Sequence, residues 1–255
     1  MDFQSRMLLW CGAIAGPLFT LAYLVEGAAR AHYDPLRHPV SSLALTDRGW
    51  IQASNFLLAA VLTFAFGIGL RRASRPRQRG RKEREKRKPE QRQPEPEQRQ
   101  REQGRGRGRE QRQLVWGPLL IVLWGAGLLG AAIFVTDPIS GYPTGTPDRL
   151  PEPTTHGALH DYLSLAGFAA LAAACLVFAR SGPRPWRFYS ALSGLGFVAA
   201  MLLASATFGT SGDLSDLAGL FQRIAITTAW SWQTLLALRF LTNTHHDETT
   251  QFAPE

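Results

Sequence analysis

Six long apolar runs alternate with polar stretches along the chain, at residues 7–28, 51–70, 114–136, 160–179, 188–209 and 218–240. Crossing the hydrocarbon of a bilayer as a helix takes about 20 apolar residues, and each run is about that long. The third, LVWGPLLIVLWGAGLLGAAIFVT, and the core of the fourth, YLSLAGFAALAAACLVFA, contain no charged residue. A helix on the surface of a soluble domain keeps a polar face, and these runs have none. The pattern predicts an all-α integral membrane bundle of six transmembrane helices. Residues 1–70 form helices one and two with their outer loop, and residues 114–242 form helices three to six. Residues 71–113 read as a separate polar segment and 243–255 as a tail. Arg6 and Ala29-Arg30-Ala31 also have the outline of a signal peptide, but the apolar run between them is long for one.

Charge sets the expected orientation. The chain carries a net +8, and residues 71–113 alone hold 18 Lys and Arg against 7 Asp and Glu. The remaining residues are slightly acidic. Cytoplasmic loops are enriched in Lys and Arg, so this segment and both termini are expected on the cytoplasmic side. Residues 71–113 have almost no apolar side chain and cannot bury a core, which predicts disorder. Their GRGRGR run resembles arginine-glycine RNA-binding tails. The reading adopted is a solvated tether that touches anionic lipid of the inner leaflet, at about 1 kcal/mol per basic residue, and not nucleic acid. The two cysteines, Cys11 and Cys175, lie in apolar runs and read as small packing side chains.

The polar residues that remain gather on the outer side. Loop one holds His38, Ser42 and Asp47. Loop two starts at Asp137 and ends at His156, His160 and Asp161. Loop three holds Asp213 and Asp216, and Arg223 follows near the start of the sixth run. Ionisable groups at membrane depth are candidates for function. Arg223 is expected either to pair with Asp213, Asp216 or Glu26, or to anchor an anionic group.

In THGALHD, Thr154 or Thr155 suits a helix N-cap, which places His156 in the first turn and His160 one turn deeper on the same face. Two imidazoles so spaced can share a zinc ion, and catalytic zinc takes three protein ligands and a water. His38 is the candidate third ligand, with Asp137 to orient or deprotonate the water. The competing reading is that these groups cap helix ends and bond one another.

The blocks HPVSSLALTDRGWIQASNF, FVTDPISGYPTGTP, THGALHD and GLFQR, in that order, resemble the bacterial and archaeal family called domain of unknown function 998. The resemblance covers the chain outside 71–113 and implies a polytopic membrane protein. His38, Ser42, Asp137, His156 and His160 also occur in an order similar to that of membrane hydrolases of the alkaline ceramidase type. That resemblance implies zinc on the three histidines, Asp137 as base and Ser42 steadying an oxyanion. Those enzymes have seven spans and the reverse Ser–His order. Two function classes follow for a multi-pass protein of the plasma membrane in contact with lipid. One is a zinc-dependent hydrolase of lipid amides or esters. The other is a non-enzymatic transporter subunit or envelope assembly partner whose rim residues are structural.

Overall fold

The computed structural model describes residues 2–74, 97–212 and 214–249, with side chains over 2–74, 115–212 and 214–242. Six long helices carry the fold: α1 (Phe3–Ala28), α2 (Gly49–Ala73), α3 (Glu97–Ile133), α4 (Thr155–Phe178), α5 (Arg184–Thr207) and α6 (Ala218–Thr249). Short 3-10 turns at Val40–Ala44 and Ser215–Leu217 sit in two of the connections, and no strand forms among the described residues. Among the described residues, five helices are long and apolar enough to cross a membrane: α1, α2, the Val115–Ile133 part of α3, α4 and α5. The protein is a multi-pass membrane protein. Helix α6, which carries Gln222, Arg223, Gln233 and Arg239, is not among the five. The disorder expected for 71–113 falls mostly on residues 75–96, which lie outside the described residues, as do the side chains of 97–114 and 243–255.

Each helix packs on the next in sequence, and α6 closes the ring against α1. The junction between α4 and α5 is the loosest of the sequential ones. The connections 29–48, 134–154 and 208–217 all meet at one end of the ring, called here the rim. Leu220 N–H bonds to Leu36 O at 2.8 Å, which ties the start of α6 to the first connection. At the opposite end, the Arg239 guanidinium lies 5.1 Å from the Trp186 ring centroid.

Small residues decide which helices approach most closely. A Cβ on Gly127 would lie 2.7 Å from the Gly167 Cα, so α3 and α4 touch backbone to backbone there. A Cβ on Gly130 would press into Leu163, again between α3 and α4. On α5, a Cβ on Gly194 would sit 2.9 Å from the Cys175 Cβ, so α4 and α5 meet toward the end away from the rim. Gly196, two residues on, has nothing within 4 Å of a Cβ position. Cys175 is buried, and Cys11 is only half covered.

Some polar side chains inside the bundle bond to backbone or to each other, whereas Thr63 Oγ1 and both polar atoms of the Gln233 amide are buried without a partner among the described residues. Asn55 Nδ2 donates to Phe19 O at 3.1 Å, Thr234 Oγ1 donates to Ala13 O at 3.2 Å, and Trp232 Nε1 donates to Ser190 Oγ at 3.1 Å.

The Gly127–Gly167 contact gives a direct test. Gly127→Val should cost about 1–3 kcal/mol by forcing α3 and α4 apart. Gly196→Ala should leave the thermal midpoint in detergent unchanged or slightly raised. Equal midpoints for Gly127→Val and the wild type would refute the close contact.

Candidate functional site

The residues picked out by sequence lie at the rim, but most are used to fasten elements together. Asp137, just past the end of α3, accepts from Thr154 N–H at 2.8 Å and from Thr154 Oγ1 at 2.6 Å. Thr154 Oγ1 in turn accepts from Gly157 N–H at 3.0 Å, the N-cap bond of α4. A Cβ on Gly157 would collide with the Asp137 carboxylate, so glycine is required for this approach. His160 Nδ1 lies 2.8 Å from Phe134 O, and the His156 ring lies 5.7 Å from the Phe134 ring. The two histidines do share one face of α4. What they share it against is the last turn of α3, and His160 is buried there while His156 is exposed.

His38 is elsewhere in the rim. Its Nδ1 accepts from Asp34 N–H at 2.9 Å, and its ring packs 5.6 Å from Tyr33 and 5.1 Å from Tyr142. Ser42 is fully buried with no partner for its hydroxyl. The expected zinc ligand set His38, His156 and His160 is therefore not assembled. Among the described residues no three His, Cys, Asp or Glu side chains are placed to hold a metal ion. The physical reason is that each imidazole is committed to backbone or aromatic partners, and Asp137 to an α4 cap.

Arg223 also departs from expectation. Its guanidinium donates to His38 O and Gly219 O, both at 3.0 Å, and to the Tyr33 hydroxyl at 2.6 Å. It lies 5.7 Å from the Tyr33 ring centroid and 5.8 Å from that of Tyr23. No carboxylate pairs with it among the described residues. Asp216 pairs instead with Arg37, Glu26 pairs with Arg30 at 2.5 Å, and Asp213 lies outside the described residues. Burial pushes the Tyr33 phenol up to about 12, so it stays protonated and donates to Pro39 O at 3.0 Å.

Arg37 joins all three rim connections. Nε donates to Ser140 O at 3.1 Å, NH2 to Asp148 at 3.0 Å and NH1 to Asp216 at 2.7 Å. Sequence reading missed it because its partners lie 103 to 179 residues away in the chain. Gln222 Oε1 accepts from Val40 N–H at 2.8 Å and completes the fastening of the first connection to α6.

Beneath this rim lies a cavity of about 590 Å³. Binding sites for small molecules run from roughly 300 to 1,000 Å³. Its wall is a linked series of aromatic rings. Phe56 lies 5.4 Å from Phe19, Phe19 5.5 Å from Trp230, and Trp230 5.7 Å from Trp124; Trp124 and Phe168 are 5.7 Å apart, as are Phe168 and Phe197. Its polar residues collect toward the rim: Asp137, Arg149, His160, Asp161, Ser164 and Gln222. Pro138, Ile139, Leu150 and Pro151 of the second connection cover it. Asp161, Ser164, Leu165 and Phe168 from α4 face Phe197, Met201, Ser205 and Phe208 from α5 across it. The rim halves of α4 and α5 are therefore held apart by the cavity, while Gly194 and Cys175 bring the helices together below it. Asp161, Leu165 and Ser205 are exposed at this seam.

Two expectations follow. Asp137→Ala should lose about 1–2 kcal/mol of stability, since it strips the Thr154 amide and hydroxyl of their acceptor. The wild-type thermal midpoint should not respond to a chelator; a chelator that reproduces the loss would restore a metal role. The second concerns pH. Burial holds the His38 imidazole below its ordinary range, against the opposing pull of the Ser140 backbone and Asp34. Its contribution to stability is then complete above about pH 6.5 and lost as pH falls through the lowered value. Amide exchange over residues 33–48 should accelerate between about pH 7.5 and about pH 5.5, beyond the intrinsic effect. His38→Asn should flatten that response.

No curated protein matches the chain, and no solved structure does. The family described as Protein of unknown function (DUF998) matches over residues 13–83 and 104–239, which takes in all six helices and the rim connections. The chain belongs to that family.

Proposed function

We propose that the chain is a non-enzymatic six-span protein of a bacterial or archaeal plasma membrane, which holds an amphiphilic molecule of the outer leaflet in its rim cavity. Both termini and the 71–113 segment lie on the cytoplasmic side in this reading, the segment resting against anionic inner-leaflet lipid. The positive charge of that segment supports the orientation. Helix α6 packs along α1 and α5, which supports counting it as the sixth span.

The observation that carries the proposal is the cavity itself: an aromatic interior, polar groups only near the rim, a cover of connection residues, and a seam between α4 and α5. A molecule with an apolar body and a polar end matches that division. The use of Asp137, His38 and His160 as fasteners favours a binding protein over a hydrolase.

Mass spectrometry of lipid extracted from the detergent-purified protein tests this. The wild type should retain about one amphiphile per chain. Ser164→Phe and Met201→Trp, which fill the cavity, should each lower retention by about tenfold or more with the thermal midpoint kept. Equal retention in the filled variants would refute the proposal. Stoichiometric metal, or release of fatty acid from lipid amides or esters by the wild type, would replace it with the hydrolase reading.

A further inference from the structure

The charge distribution at the cavity mouth carries the reading above one step further, and rests on it. The ionisable side chains lining the cavity are Asp137, Asp161, Arg149 and His160. Asp137 is bonded to the Thr154 amide and hydroxyl. His160 is bonded through Nδ1 to Phe134 O. Arg149 donates through NH2 to Phe208 O at 2.9 Å, which holds its guanidinium to the end of α5.

Asp161 differs from these. It stands in the second turn of α4, lines the cavity and is exposed at the seam with α5. It makes no hydrogen bond and no ion pair within 4 Å among the described residues, although Asp137, His160 and Arg149 are all within electrostatic reach. Two carboxylates, Asp137 and Asp161, against the single guanidinium of Arg149 leave the mouth with a net negative charge, which favours a cation over an anion. Carboxylates at membrane depth are ordinarily paired.

We infer that the polar end of the bound amphiphile is cationic, an ammonium that pairs with Asp161, with the apolar body lying along the aromatic wall. The rings of Phe168 and Phe197, which line the cavity about two helical turns deeper than Asp161, suit the apolar body of such a molecule. The seam between α4 and α5 gives the route in. Asp161, Leu165 and Ser205 are exposed there, so the ammonium can enter at headgroup level while the chain slides between the helices. The Arg37 cluster fastens the cover over the cavity, which leaves the lateral path as the open one.

The test uses brominated dodecyltrimethylammonium and, as an uncharged counterpart, brominated dodecyl maltoside. Both quench tryptophan, and Trp124 and Trp230 line the cavity. Full-length protein in nanodiscs is titrated with each, and saturable quenching that disappears in Ser164→Phe reports the cavity. The ammonium probe should bind the wild type about tenfold more tightly than the maltoside, as one ion pair of moderate strength gives. Asp161→Asn should abolish that preference and leave maltoside binding unchanged, and Asp161→Glu should keep it. Equal binding of the two probes, or a preference that survives Asp161→Asn, would overturn the ammonium assignment and leave the cavity reading standing. No saturable quenching by either probe would overturn both. Should Asp161→Asn fail to give folded protein, the wild-type preference between the probes and its loss in high salt decide the question alone.

Discussion

The contact between the backbones of Gly127 and Gly167 sets the geometry of the rim half of the bundle. With no side chain on either, α4 lies directly on α3. Gly130 against Leu163, His160 against Phe134 O and Asp137 against Thr154 then hold the two helices together up to the rim. A helix held this firmly to one neighbour along its length cannot also follow the other. Helix α5 meets α4 at Gly194 and Cys175 and through the rings of Phe168 and Phe197, and above those the cavity lies between the two helices. The cavity is the space left by that divergence. The residues that first suggest a metal site thus have a structural consequence: they fix the position of α4 and keep the cavity open.

The rim cover depends on two arginines used in different ways. Arg37 reaches out from the first connection to the second and third through a planar fork that can serve three acceptors at once. Arg37 is part exposed, so its pairs with Asp148 and Asp216 are weak individually, and their value is in fixing register. Arg223 points inward to backbone carbonyls and the Tyr33 hydroxyl, with tyrosine rings beside it. Neutral acceptors and ring faces stabilise a guanidinium without a counter-charge, which is how a cation can sit within the first two turns of α6. Together they hold the rim connections over the cavity, which leaves Asp161, Leu165 and Ser205 exposed at the seam between α4 and α5.

Much of this was legible in sequence. Run length and the absence of charge were enough to place the long helices, because the bilayer imposes both. The Thr154 cap was legible because a threonine before a helical run, after prolines, has few other roles. The shared face of His156 and His160 followed from their spacing alone. What faced them did not, because nothing local in the chain says that Phe134 at the end of α3 will lie opposite. The sequence offers Arg223 a pair with Asp213, Asp216 or Glu26, or an outside anion, and does not reveal that Arg37, far away in the chain, takes Asp216. The cavity was not legible for a related reason: Phe19, Phe56, Trp124, Phe168, Phe197 and Trp230 look like ordinary core residues until the divergence of α4 from α5 leaves a space between them.

A density map of the full-length protein in nanodiscs made from its native membrane would test the account most directly. Elongated density is expected within the aromatic wall, ending beside Asp161 and reaching the bilayer through the seam between α4 and α5. A map in which α4 and α5 pack together as far as the rim, with Phe168 and Met201 filling the space, would contradict it.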